Sequence, residues 1–126
     1  MLLPLPAHKA RALSLEHHIA LSVLASGHGG IDQAVRLLQA ICHGRFLLRS
    51  DETDDGTFDE AEAALDALVT RTNAGGAWVV DDIERAAIAG ALALHDQLTA
   101  REPYHRFVET WKRMLRFVRE RVAAST

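Results

Sequence analysis

One cysteine, Cys42, stands among 126 residues, so no disulfide can form within the chain, and a reducing, cytoplasmic compartment is expected. Residues that favour sheet are thin beside abundant alanine and leucine, which argues for helices. Long apolar runs are missing as well. The stretch Ile19 to Ala25 is too short to span a bilayer and follows Glu16, His17 and His18; the opening Met1-Leu2-Leu3-Pro4-Leu5-Pro6 lacks a basic segment. Neither a signal peptide nor a membrane helix is expected. What is present is ordinary globular material, 48% hydrophobic and 25% charged, long enough for one domain over 1–126 with a buried core.

Charge is unevenly placed. Residues 1–100 carry seven Lys and Arg against fourteen Asp and Glu, net −7, whereas residues 101–126 carry seven against three, net +4. A basic tail of this kind either meets an anionic partner or packs beside the acidic remainder.

Apolar periodicity and turn residues predict an all-α bundle of about five helices, at 7–26, 31–49, 58–73, 82–100 and 103–123. In the first, Leu15, Ile19 and Val23, with Ala20 and Leu24, recur at three- and four-residue steps, and Gly27-His28-Gly29-Gly30 stops the helix. The second has apolar character on two adjacent faces, Ile31/Val35/Leu38/Cys42 and Leu37/Ile41/Leu48, as expected of a central helix. Gly44 within it weakens the helix unless a neighbour packs closely there. Thr57 and Glu60 read as a capping box for the third helix, whose buried stripe is Ala61, Leu65, Leu68 and Val69; Asn73-Ala74-Gly75-Gly76 ends it. Trp78 is expected to enter the core. Asp81 and Glu84 repeat the box before a fourth helix burying Ile83, Ala87, Ala91, Leu94 and Leu98. Pro103 opens the fifth, with an apolar stripe of Phe107, Trp111, Met114, Leu115, Val118 and Val122, placed against the second helix.

Three stretches carry a resemblance: His18-Ile19-Ala20-Leu21 closed by Gly27-His28-Gly29, Ala64-Leu65-Asp66-Ala67-Leu68 through Arg71, Gly76 and Trp78, and Glu84 followed by Ala91 to Leu98. Over residues 14–108 the chain resembles a group of small, functionally uncharacterised proteobacterial proteins found near phage-like and other mobile elements, commonly labelled "Fis family transcriptional regulator". The resemblance implies an all-helical fold. The label implies DNA binding, which needs a helix-turn-helix. Ala40-x-x-x-Gly44 has Gln39, His43 and Arg45 where that motif wants apolar residues, and Ala86-x-x-x-Gly90 lies inside a continuous helical pattern, so no helix-turn-helix is read here.

The acidic stretch from Ser50 to Glu62 is the one segment where charge and spacing together suggest chemistry. Asp51, Thr53, Asp55, Asp59 and Glu62 occupy the oxygen-ligand positions of a calcium loop, with Gly56 at the turn. Against that stand the hydroxyl of Thr53, the aromatic Phe58, the small Ala63 and the lack of a second loop; a solvated joint between an N-terminal helical pair and a C-terminal trio explains the same residues. His18, His43 and His95 lie on three helices and suit zinc if they converge. Glu102-x-x-His105 has the spacing of a bundle ligand pair, with Pro103 interrupting it. Cys42 sits on an apolar stripe as a small hydrophobe. No cofactor and no catalytic residue are implied.

A non-enzymatic interaction or regulatory protein is the expected function, a homodimer or the partner of another protein, with contact through Trp111, Arg113, Arg116 and Phe117. The alternative is nucleic-acid binding through Arg106, Lys112, Arg113, Arg116 and Arg119, with Glu109–Arg113 and Arg116–Glu120 pairs expected to absorb part of that charge. Cation binding at 51–62 is a second alternative.

Overall fold

Turn chemistry sets the helix limits. In the computed structural model, which describes residues 7–124, the chain forms α1 (Ala7–Ala25), α2 (Ile31–Leu47), α3 (Thr57–Asn73), α4 (Asp82–Ala100) and α5 (Tyr104–Ala124), an all-α bundle. Gly75, at a φ of 96°, closes α3 in the left-handed conformation that glycine adopts without strain, and Gly76 N–H then returns to the Arg71 carbonyl at 2.8 Å. At α4 the capping box forms: Glu84 N–H donates to Asp81 at 2.7 Å, and Asp81 N–H donates to the Glu84 carboxylate at 3.0 Å. The box expected at α3 does not form. Thr57 is already helical there, and Asp54 does the capping, accepting from Phe58 N–H at 2.8 Å and Gly56 N–H at 3.2 Å. The carboxylate wins because it reaches over the left-handed Asp55–Gly56 turn to two free donors at once.

α2 is the hub, touching all four other helices, and α4 packs on α1, α2 and α3. α5 packs on α2, as its apolar stripe predicts. The acidic joint therefore does not divide a pair from a trio, since α1 lies across both α2 and α4. Phe58, Leu24, Leu37, Ile41, Leu47, Leu68, Ile88 and Leu92 fill the main core; Cys42, Met114 and Val118 form a smaller one beneath α5. Gly44 is there for contact: a Cβ at that position would overlap the Phe58 ring. Trp78 is half-buried against the core rather than within it. Both glycine-containing segments tested for a helix-turn-helix lie inside unbroken helices, α2 and α4. No described helix is long and apolar enough to cross a membrane.

On three helices some residues of the expected stripe point outward, while the rest of each stripe is buried or half-buried. Leu15 (60% exposed) and Ile19 (51%) point outward on α1, where His17, Ala20, Leu21 and Leu24 are buried instead. Ile31 is likewise exposed at the start of α2. Ile83 on α4 is 82% exposed, while Glu84, Ile88, Ala91, Leu92 and His95 face in. Polar residues share the core face with the apolar ones: His95 bonds His43 and Glu84 is gripped by Arg71, while His17 meets only the ring of His95.

Candidate functional site

The polar centre of the bundle is a chain of hydrogen bonds across three helices. His43 of α2 and His95 of α4 meet through Nδ1 and Nε2 at 2.9 Å, and His43 Nε2 reaches Thr110 Oγ1 of α5 at 3.0 Å. The Thr110 hydroxyl lies 2.8 Å from the Arg106 carbonyl and 3.0 Å from that of Phe107, neither of which can donate. Its proton therefore goes to its own helix, and it accepts from His43 Nε2–H; His43 Nδ1 in turn accepts from His95 Nε2–H. His17 of α1 stacks edge-on against His95, with ring centroids 5.3 Å apart. Phe107 and Trp111 close over His43, both edge-on, at 4.7 and 5.0 Å.

All three histidines are buried, and that burial makes them bases in name only. Loss of solvent pushes His17 and His43 down to about 4 and His95 well below the ordinary histidine value. For His17 the nearby Asp96 opposes the effect, while His18 and Arg36 add to it. The expected trio of His18, His43 and His95 does not converge. Adjacent residues on a helix point about 100° apart, so His17 takes the inner position and His18 turns out to pair with Asp96 at 3.1 Å. The His43 and His95 nitrogens that face each other are occupied by their shared bond, and no group of three or more His, Cys, Asp or Glu among the described residues has a geometry able to hold a metal. Glu102 is buried and takes Arg106 Nε at 2.8 Å, whereas His105 is exposed, so that pair does not meet either. Cys42 is buried, and burial raises its pKa, keeping it a thiol.

In the acidic joint, three of the five residues spaced like calcium ligands, Thr53, Asp59 and Glu62, are spent on arginines and backbone. Arg45 bonds Asp59 at 2.6 Å and Glu62 at 2.8 Å; Arg121 of α5 also binds Glu62, clamping α2, α3 and α5 together. Thr53 Oγ1 accepts from Asp55 N–H at 3.1 Å, closing a turn. Asp51 and Asp55 are left exposed on the surface. Glu52, absent from the ligand pattern, is also tied: Arg101 grips it through two bonds of 2.5 and 2.6 Å and holds its carboxyl at about 2.

No protein-family model, curated protein or solved structure matches the chain.

α5 is the remaining candidate surface. Phe117, 45% exposed, sits edge-on to Phe46 of α2 at 6.0 Å, and the Arg113 guanidinium lies 5.2 Å over the same Phe46 ring. Arg116 is exposed beside them, with no partner among the described residues. Trp111 does not join this patch. Six residues before Phe117, it lies about 120° round the helix, half-buried against His43 and Phe107. Of the basic set, Arg106 is engaged by Glu102 and Arg113 by Phe46, while Lys112, Arg116 and Arg119 form an exposed ridge opposite the buried Met114. The expected pairs Glu109–Arg113 and Arg116–Glu120 are not among the ion pairs of the described residues; Arg113 turns toward the Phe46 ring instead.

His17 and Thr110 are the site residues missed in the sequence. Each carried a signal: His17 lies three, four and seven positions before the buried Ala20, Leu21 and Leu24, and Thr110 four before Met114. Only their polarity hid them.

Proposed function

We propose that the chain is a non-enzymatic interaction protein that works through protein–protein contact, with the α5 flank of Arg113, Arg116 and Phe117, braced by Phe46, as its contact surface. One observation carries the reading: Phe117 is almost half exposed yet held by Phe46, whose ring also anchors Arg113. An exposed aromatic with an arginine beside it, both already positioned, is what a binding hot spot requires, because little conformational freedom is left to lose on association. The polar centre supports the same reading from the other side, since His17, His43 and His95 are buried and the facing nitrogens of His43 and His95 are spent on each other. The test is affinity capture from the native cell with the natural chain and with Phe117→Glu and Arg116→Glu. A partner retained by the natural chain and lost by both variants, at unchanged helical content, supports this surface; equal capture by all three removes it.

A second reading has its own observation. Lys112, Arg116 and Arg119 are exposed with no carboxylate paired to them among the described residues, so the ridge is free to meet phosphates, as a regulator of transcription would require. Three phosphate contacts predict a log–log salt slope of about −2.7 on duplex DNA. Absence of any DNA retention at low salt disposes of this reading.

A further inference from the structure

Between α1 and α4 lies a cleft of about 640 Å³, within the range that holds a small organic molecule. Ala10 and Leu13 of α1 give it an apolar wall. Its polar wall comes from α4, where His95 and Thr99 stand one helical turn apart.

Both of those α4 residues hold a hydrogen-bonding atom that the bundle leaves unused. Thr99 is 4% exposed, and its Oγ1 is buried with no partner. A threonine inside a helix often returns its hydroxyl proton to a carbonyl of the preceding turn, as Thr110 does; Thr99 does not. His95 gives its Nε2–H to His43, so its Nδ1 is a bare lone pair, and no hydrogen bond reaches that nitrogen among the described residues. Buried polar atoms without partners are rare in folded proteins because each one forfeits its bond to water. Here a lone pair and a hydroxyl are left open on the same wall of one cavity.

The other end of the cleft is positive. Arg11 lines it, is exposed, and joins none of the ion pairs of the described residues. Lys9 lies nearby on the same helix, over the Tyr104 ring at 5.4 Å, and α1 has no acidic residue in its first turn to offset the helix dipole. Asp96, the one carboxylate in the wall, is already bonded to His18 at 3.1 Å.

These groups define what fits. The bare His95 nitrogen requires a donor, and the Thr99 hydroxyl gives a proton to the same atom or takes one from it. The apolar wall requires an apolar body, and Arg11 requires an anion at the mouth. A phenol serves the inner end best, because its O–H is a strong donor, its oxygen accepts, and its ring is rigid and loses little freedom on binding.

We propose that the α1–α4 cleft binds a small hydroxyaryl carboxylic acid, with the hydroxyl on Thr99 and His95 and the carboxylate at Arg11. Thr99, whose side chain no hydrogen bond holds, turns about χ1 to present its oxygen. The site lies on α1 and α4 and does not rest on the contact surface proposed for α5, so either can fail alone.

Titration of the full chain with para-hydroxyphenylacetate, followed through its amide chemical shifts, tests the site. Saturable shifts are expected on α1 around Leu13 and on α4 around Thr99. Phenylacetate, which lacks the hydroxyl, should bind about tenfold or more weakly. The uncharged para-hydroxyphenylacetamide should lose about twofold to fivefold, since Arg11 is exposed to solvent. Thr99→Val should weaken the hydroxy acid as removal of its hydroxyl does, leave phenylacetate unaffected, and keep or raise the thermal midpoint of the unliganded chain. Arg11→Gln should weaken the acid and not the amide, and Phe117→Glu should change neither. No saturable shift into the millimolar range, equal affinity for the acid with and without its hydroxyl, or binding indifferent to Thr99→Val would each overturn the proposal. A lower thermal midpoint in Thr99→Val would show that water already satisfies the hydroxyl, and would overturn it as well.

Discussion

His43 and His95, separated by 52 positions in the chain, share a single buried hydrogen bond of 2.9 Å that joins the two central helices of the bundle. The bond needs His43 Nδ1 unprotonated, and burial disfavours a charge on either ring; two imidazolium groups at that distance would also repel without solvent between them.

Stability should therefore fall with acid earlier than carboxylates alone would make it. A histidine held at about 4 when folded, against an ordinary 6.5, binds more protons in the unfolded chain throughout that interval. Its contribution is intact above pH 6.5 and is lost as pH falls toward 4. For His43 alone the loss between pH 7.5 and 5 is about 2 kcal/mol, and His17 shifts in the same direction. Urea denaturation at the two pH values checks it; a stability independent of pH over that range would contradict the neutral network.

Thr110→Val should leave His43 Nε2–H without an acceptor in a dry environment and cost about 1–3 kcal/mol. Thr110→Ser keeps the hydroxyl and should cost clearly less. Equal effects of the two, measured by chemical denaturation, would mean that the methyl group and not the hydrogen bond is what the site needs.

Gly44→Ala should destabilise the fold, although alanine is the better helix former by about 1 kcal/mol. The added methyl meets the Phe58 ring, and overpacking of this kind costs about 1–3 kcal/mol. Combining it with Phe58→Leu should relieve part of that cost. Simple additivity of the two substitutions would show that the ring is not what excludes the side chain.

Asp54→Ala should cost about 1 kcal/mol through loss of the cap on α3, and Thr57→Ala should be close to neutral. The reverse order of thermal midpoints would restore Thr57 as the cap.

The five helices were legible because their punctuation is local: the Gly75-Gly76 stop, the Asp81–Glu84 box and Pro103 each act on residues within one turn. The centrality of α2 was legible too, from apolar residues on two adjacent faces. Orientation was not. Hydropathy places Leu15, Ile19 and Ile83 inward and His17, Glu84 and Thr110 outward, whereas all six lie the other way round. A polar residue can occupy a core face when a partner on another helix satisfies it, as Arg71 does for Glu84 at 2.5 and 2.7 Å. Such partners are distant in sequence, and no periodicity reports them. The same limit explains the acidic joint, where spacing suggests a cation loop but Arg45 and Arg121, from two other helices, take Asp59 and Glu62.

The most direct test of function by contact replaces Phe117 with a photoreactive phenylalanine analogue in the native cell, with the same analogue at Ala63, exposed on α3, as the reference. Irradiation should give one discrete adduct with a single partner protein from position 117 and none from position 63. No adduct from position 117, or the same adducts from both positions, would contradict the account.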